Sequence, residues 1–278
     1  MSWHPGLGSH LFNSSLANVR MIFEFFGTSA HASSFPHLGR SALDAAELMN
    51  VGCNFLREHV PSSVRLHYAF LDAGGPENVV QSYSKVIYAI RAPRQDVVKQ
   101  VMERVKDVAR GAALMTGTKV EFKVVSAYSD IVSNSVLDRL MIENASRFFP
   151  LEYSNRELEY AQMFSSEGID GSLDCTLDRQ PSASTDFGDV SRCVPSSCMT
   201  INCLAAGTGL HSWQATAQGK SSIAHRGMHV GALTIASTAL DLISDSSLLS
   251  DASREFHDKV QNHEYSSLIP AEAVPGAF

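Results

Sequence analysis

The chain has 278 residues, a net charge of −7 and no run of Lys or Arg, which argues against a nucleic-acid or anionic-membrane partner. Hydrophobic residues make up 44% and charged residues only 18%, too apolar for a disordered chain and enough for one large or two small packed domains. The longest apolar stretch, Val230 to Leu240, is too short to span a bilayer.

The opening MSWHPGLGSH has no charged segment leading into an apolar one and does not read as a signal peptide. Trp3-His4-Pro5 reads as the end of a preceding segment. Alternation of Val19, Met21, Phe23 and Phe25 with Arg20 and Glu24 predicts a strand from Val19 to Phe26. A loop from Gly27 to Gly39 follows. Ser41 with Asp44 three residues on predicts a helix start, and Ala42, Ala45, Ala46, Met49, Cys53 and Leu56 recur at helical spacing as far as His59. Leu66, Tyr68 and Phe70 predict a second strand, closed by Gly74-Gly75-Pro76, and Lys85 to Arg91 a third. Pro93 opens a second helix striped with Val97, Val101, Val105, Val108 and Ala112, and Gly117 closes it. Val120, Phe122 and Val124 give a fourth strand. The order βαββαβ over residues 18–128 is the ferredoxin-like split layout, an antiparallel sheet with both helices on one face.

Residues 129–278 are less regular. Helices are expected at Val136–Phe148, Arg156–Ser166, His225–Ile243 and Leu248–Gln261. Long loops are expected at Gly168–Arg192 and Ala206–Gly219, and an irregular tail after Glu264. Cys198–Leu204 reads as a buried strand. With one convincing strand, this region looks like half of an α/β domain. The strand is expected to lack neighbours, leaving the part beyond residue 130 the less protected.

Cys53, Cys175, Cys193, Cys198 and Cys203 are odd in number with no CxxC pair, which predicts free thiols in a reducing, cytoplasmic setting. Gln218-Gly219-Lys220-Ser221 lacks the earlier glycine of a phosphate-binding loop. His225 and His229 are four apart, but Arg226 stands where a zinc protease needs its glutamate. No GxSxG supports a serine hydrolase. Three places remain. His31 lies on a loop among small residues. Asn78 stands thirteen residues before Arg91, an amide and a guanidinium suited to a carboxylate. His211 follows Gly207-Thr208-Gly209-Leu210, a loop histidine after a buried strand.

Taken together, several stretches resemble the zinc aminoacylase/carboxypeptidase-type metallopeptidases, and within them the p-aminobenzoyl-glutamate hydrolase branch of amidohydrolases. They are Phe26 to Ala32, Pro36 to Ala45, Glu47 to Gly52, Asn78-Val79-Val80, Ile90 to Pro93, Ser184 to Ser191, His211 to Gln214 and Ser221 to Met228. The chain departs from the branch at Gln81, Arg192 and Ala224, where proline, tryptophan and glycine are expected.

The resemblance implies an α/β fold in three segments. Residues 1–17 end a first catalytic segment, 18–128 form an inserted ferredoxin-like lid and dimerisation domain, and 129–278 form the carboxyl-terminal half of a catalytic domain. It implies a homodimer through the lid, with an A-type hydrolase subunit as a further partner. It also implies a small-molecule amide substrate, p-aminobenzoyl-glutamate, cleaved to p-aminobenzoate and glutamate. The implied cofactor is a divalent metal, zinc or manganese, two per complete site, of which this chain supplies at most one ligand, His211. His31 matches the lid histidine that polarises the scissile carbonyl in the partner's site. Asn78 and Arg91 match residues that hold the substrate's carboxylate end. Asp186 and Asp189 match a motif with no assigned role. The resemblance places the first half of the catalytic domain outside this chain, so the alternative function is a non-catalytic dimerisation and ligand-binding module.

Overall fold

The computed structural model describes residues 1–180, 183–261, 265–271 and 273. It divides into two compact units. One comprises Met1–Ser15, Ile131–Ser182 and Val190–Tyr265, and the other Leu16–Asp130, Ala183–Asp189 and Ser266–Phe278.

The first unit opens with two short strands, β1 (Ser2–Gly6) and β2 (Ser9–Leu11). The second unit is built from β3 (Ala17–Phe26), α1 (Ala42–Leu56), β4 (Arg65–Asp72), β5 (Tyr83–Ala92), α2 (Gln95–Thr116) and β6 (Lys119–Tyr128). The chain then returns to the first unit with α3 (Ser135–Ser146), α4 (Asn155–Gln162) and β7 (Leu173–Asp174). After α5 (Phe187–Ser191) come β8 (Cys198–Asn202), α6 (Trp213–Gln218), α7 (Ser222–Ser244) and α8 (Ser246–Val260). Of the irregular tail expected after Glu264, residues 265–271 and 273 are described and lie in no helix or strand.

The second unit's sheet runs β4-β5-β3-β6, every neighbouring pair antiparallel. This is the split βαβ arrangement that the strand and helix periodicities predicted. Val19, Met21, Phe23 and Phe25 bury one face of β3 against α1 and α2, and Val86, Tyr88 and Ile90 do the same from β5. Phe23 sits edge-on to Tyr88 with ring centroids 5.8 Å apart, and 5.7 Å from Phe122. The Tyr88 hydroxyl donates to Asn50 Oδ1 at 2.6 Å, which satisfies a polar pair inside the core. Ser41 caps α1 by accepting from the Asp44 N–H, and Gly117 ends α2 at φ +66°, a left-handed position that suits glycine. Strand β4 lies at the sheet edge, so only Leu66 is buried there, and Tyr68 and Phe70 stay exposed.

In the first unit the sheet order is β1-β8-β2-β7. The buried strand β8 is paired on both sides, parallel with β1 and antiparallel with β2. The expectation that it lacks neighbours is therefore corrected. Its partners come from residues 2–11, where Pro5, Gly6 and Gly8 hid the strand signal. Leu11, Met141, Met199, Ile201 and Val230 form the core around it. The expected loops at 168–192 and 206–219 contain β7, α5 and α6, elements too short to show periodicity. The five cysteines are free thiols, and burial pushes Cys53, Cys198 and Cys203 up to about 11. No single helix among the described residues is long and apolar enough to cross a membrane.

Candidate functional site

The loop carrying His31 leaves the end of β3, and the loop carrying Asn78 enters the start of β5, where Phe26 faces Tyr83. The two loops are stitched into a short antiparallel ribbon. His31 bridges Val79, the Ala32 N–H donates to Asn78 O at 2.9 Å, and the Val80 N–H donates to Ala30 O at 2.9 Å. A second bridge, Thr28 with Arg40, closes the base, and a Cβ at Gly27 would fall 2.0 Å from Arg40 O. Both His31 and Asn78 are exposed. The Ser34 backbone N–H donates to His31 Nδ1 at 3.3 Å, with Ser33 Oγ 3.2 Å from the same atom.

Gln81, where the family resemblance expects proline, fastens the Asn78 turn by hydrogen bonds. Its Oε1 accepts from the Gly75 N–H at 2.5 Å, and its Nε2 donates to Pro76 O at 2.9 Å and Val79 O at 2.8 Å. Gly74 has φ +94°, and a Cβ there would collide with the Gln81 side chain. The amide thus does by hydrogen bonding what a proline ring would do by fixing φ.

Arg91 is not with them. It faces Asn18 on β3 and Arg65 on β4, at the end of the sheet where the chain enters and leaves this unit. From Tyr83 to Arg91 is eight residues of strand, about 27 Å of extended chain. The structure brings His31 and Asn78 together and sets Arg91 at the opposite end.

His211 lies in the other unit. Its loop leaves β8 and is pinned from beneath by buried Gln218, whose Oε1 accepts from the Ala205 N–H at 2.7 Å and whose Nε2 donates to Thr208 Oγ1 at 3.0 Å. Ser212, the N-cap of α6, also donates to Gly209 O at 2.6 Å, so His211 stands between two fixed turns. It is exposed.

Strand β1 lies parallel beside β8, in register from Ser2 with Cys198 to Gly6 with Asn202. Ligand groups in such sheets gather at the carboxyl ends of parallel strands. His4, which no sequence pattern marks, is the central residue of β1. It is exposed, and its Nδ1 lies 2.7 Å from Pro5 O. An N–H donated there leaves Nε2 as an outward lone pair, the form of imidazole that binds metals. The signal that could have found it is the parallel pairing, invisible before β1 is seen as a strand.

Two imidazoles are donors of the right chemistry for a divalent ion. Among the described residues no group of three or more His, Cys, Asp or Glu side chains could hold a metal. The described residues therefore do not by themselves make a complete metal site. Asp189 is structural, since its Oδ1 accepts from Ser129 Oγ at 2.6 Å and its Oδ2 from the Ser129 N–H at 3.3 Å, which ties α5 to the end of β6. His225 and His229 are exposed on α7, and Arg226 between them pairs with Glu157 at 3.1 Å.

Comparison with known proteins explains this layout. Residues 13–115 match the family described as the peptidase dimerisation domain. Over 99% of its length the chain is 36% identical to the B-type component of the p-aminobenzoyl-glutamate hydrolase of Escherichia coli (strain K12). Over residues 13–115 the chain is similar to peptidases that carry this dimerisation domain. It is also 27% identical over 96% of its length to the Xaa-Arg dipeptidase of Homo sapiens. It spans 64% of the first relative and 57% of the second. Among solved structures, the aminobenzoyl-glutamate utilization protein of Klebsiella pneumoniae superposes with TM-score 0.56 at 19% identity, covering 86% of this chain and 53% of that one. A hydantoinase/carbamoylase-family amidase of Burkholderia multivorans superposes with TM-score 0.53 at 15% identity, covering 90% and 54%. These likenesses show that the fold is shared.

Proposed function

We propose that this chain is part of a dimeric, divalent-metal-dependent amide hydrolase acting on acyl- or aroyl-amino acids, with p-aminobenzoyl-glutamate as substrate. The observation that carries the reading is the placement of His31 and Asn78 at one end of a dimerisation-domain sheet and Arg91 at the other. A separation of about 27 Å of strand exceeds the reach of any one acyl-amino acid. A substrate that touches all three groups needs His31 and Asn78 from one protomer and Arg91 from its partner. Exposed apolar side chains on α1 (Val51, Phe55) and on edge strand β4 (Tyr68, Phe70) suit a two-fold contact between such sheets.

In this reading the outward Nε2–H of His31 stabilises the oxyanion that develops on the amide carbonyl. Arg91 forks the substrate carboxylate, and the Asn78 amide orients it. His211 and His4 are the donors this chain offers to zinc or manganese. The similarity to the B-type component of p-aminobenzoyl-glutamate hydrolase over nearly the whole chain supports the substrate class.

The test is release of p-aminobenzoate by the purified chain with added zinc or manganese, alone and with an A-type hydrolase subunit. Release that disappears in His211→Ala supports the reading, and release untouched by that change removes His211 from the metal. The match of residues 13–115 to the peptidase dimerisation domain supports a second reading, a dimerisation and ligand-binding module without catalysis. No release under any of these conditions, with the dimer intact, would select it.

A further inference from the structure

Residues on the helix-free face of the second unit's sheet hold an unusual charge arrangement at the Arg91 end. Arg65 on β4 is directly opposite Arg91 on β5. In the next row the methyl of Ala89 is flanked by His67 on one side and Arg20 on the other. Directly paired cross-strand side chains have Cβ atoms only about 4.5–5.5 Å apart, and like charges placed so repel. Among the described residues none of Arg20, Arg65 and Arg91 makes an ion pair. The carboxylate of Glu24, on the same face of β3, lies four residues beyond Arg20, and its Oε1 accepts from the Tyr83 hydroxyl at 2.5 Å.

Polar groups at this corner are also left over. Arg91 Nε, Asn18 Oδ1 and Ser126 Oγ are buried without a hydrogen-bond partner, and the register puts Asn18 beside Arg91 and Ser126 beside Arg20. Arg65 is braced in place, its Nη1 donating to Ser62 O at 2.5 Å and Val64 O at 2.9 Å. Burial, then the charges of Arg91, Arg57 and Arg65, hold the His67 imidazole below its usual range. Three always-charged forks around a small alanine floor, with the Arg91 Nε and Ser126 Oγ donors unsatisfied among them, are arranged for an anion that the chain itself does not supply.

We propose that Arg20 and Arg65, together with Arg91, form a subsite for a second carboxylate, so that the favoured substrates are amides of acidic amino acids. This rests on the amide-hydrolase reading, in which Arg91 takes the first carboxylate. Arg20 and Arg65 then set specificity rather than rate. A neutral amino-acid amide leaves their charges uncompensated, and a glutamate side chain answers them.

The experiment has a binding arm and a turnover arm. Calorimetric titration of the full chain at low salt uses butyrate, glutarate, tricarballylate and inorganic phosphate as probes. Affinity should rise by about tenfold or more from butyrate to the polycarboxylates, and Arg20→Gln or Arg65→Gln should each remove most of that gain. Arg20→Lys should recover part of it, which separates lost charge from lost folding. Equal binding of all carboxylates, phosphate binding as tight as tricarballylate, or indifference to both Gln variants would overturn the subsite. In the turnover arm, p-aminobenzoyl-glutamate is compared with p-aminobenzoyl-alanine. A glutamate preference that falls in Arg20→Gln and Arg65→Gln supports the proposal, and a preference that survives both overturns it. Polycarboxylate binding without any hydrolysis would remove the hydrolase reading and leave the anion subsite standing.

Discussion

The backbone N–H of Ser34 donates to Nδ1 of His31 across 3.3 Å. An imidazole that accepts at Nδ1 carries its proton on Nε2, so a neutral His31 presents a donor outward. A donor aimed at a developing oxyanion is worth roughly 10²–10³ in rate. His31→Ala should therefore lower kcat for p-aminobenzoate release by about that factor with little change in KM. His31→Gln, which keeps an N–H donor, should recover part of it. Equal activity in wild type and His31→Ala would remove the residue from the chemistry.

The first unit's stability at neutral pH depends on one carboxylate, Glu157. Glu157 accepts from the Ser154 N–H and Oγ at 2.8 Å each, from Ser222 Oγ at 2.8 Å and from Arg226 at 3.1 Å. The Ser154 backbone bond is the main cause that holds its carboxyl down at about 2, against the burial that opposes it. A depressed folded-state value stabilises the fold above the unfolded value near 4.3, and that contribution is lost as pH falls toward 2. Glu157→Gln should cost about 1–3 kcal/mol at pH 7. The gap between variant and wild type should close between about pH 4.5 and pH 2 in denaturant titrations. A gap that persists unchanged at pH 2 would assign the loss to packing instead.

What the sequence made legible follows the strength of local periodicity. The βαββαβ unit was readable because its strands alternate and its helices carry long apolar stripes, as with Val98, Val101, Val105 and Ala112 buried along α2. Strands β1 and β2 were not, because five and three residues interrupted by Pro5, Gly6 and Gly8 carry no alternation, and their partner β8 is 188 to 196 residues away. That loss also hid His4. At the site, the thirteen-residue spacing of Asn78 and Arg91 suggested neighbours, but they stand at the two ends of one strand and its entry loop. Only the register, Phe26 with Tyr83 and Asn18 with Arg91, shows that His31 belongs with Asn78 and not with Arg91.

Gln81 holds the Asn78 turn through three backbone groups, those of Gly75, Pro76 and Val79. Each net bond is worth about 0.5–1.5 kcal/mol, but the turn is exposed and small. Gln81→Ala should therefore leave global stability nearly unchanged and act locally. Hydrogen exchange at residues 74–80 should accelerate while α1 and α2 keep their protection. KM should rise more than kcat falls, since the turn positions a binding group rather than a reacting one. Gly74→Ala should do the same and also cost stability, because alanine resists φ +94° and meets the Gln81 side chain.

A site assembled from two protomers makes a quantitative prediction about mixtures. His31→Ala and Arg91→Ala homodimers should both be nearly inactive, since each lacks one group at both sites. In a heterodimer of the two variants, one site takes the intact Arg91 of the first protomer and the intact His31 of the second. The other site inherits both defects. Random pairing gives half heterodimers, so coexpressed variants should recover about a quarter of wild-type activity. A His31→Ala and Asn78→Ala mixture is the control. Those residues sit on one stitched loop pair, act together across the interface, and should show no recovery. Phe55→Glu, placed on an exposed apolar position of α1, should abolish recovery by preventing pairing, and sedimentation equilibrium should report a monomer. No recovery in the His31/Arg91 mixture, with heterodimers confirmed by mass, would put all three groups in the same protomer's site, and recovery in the His31/Asn78 mixture would draw those two residues from different protomers; either result contradicts the shared arrangement.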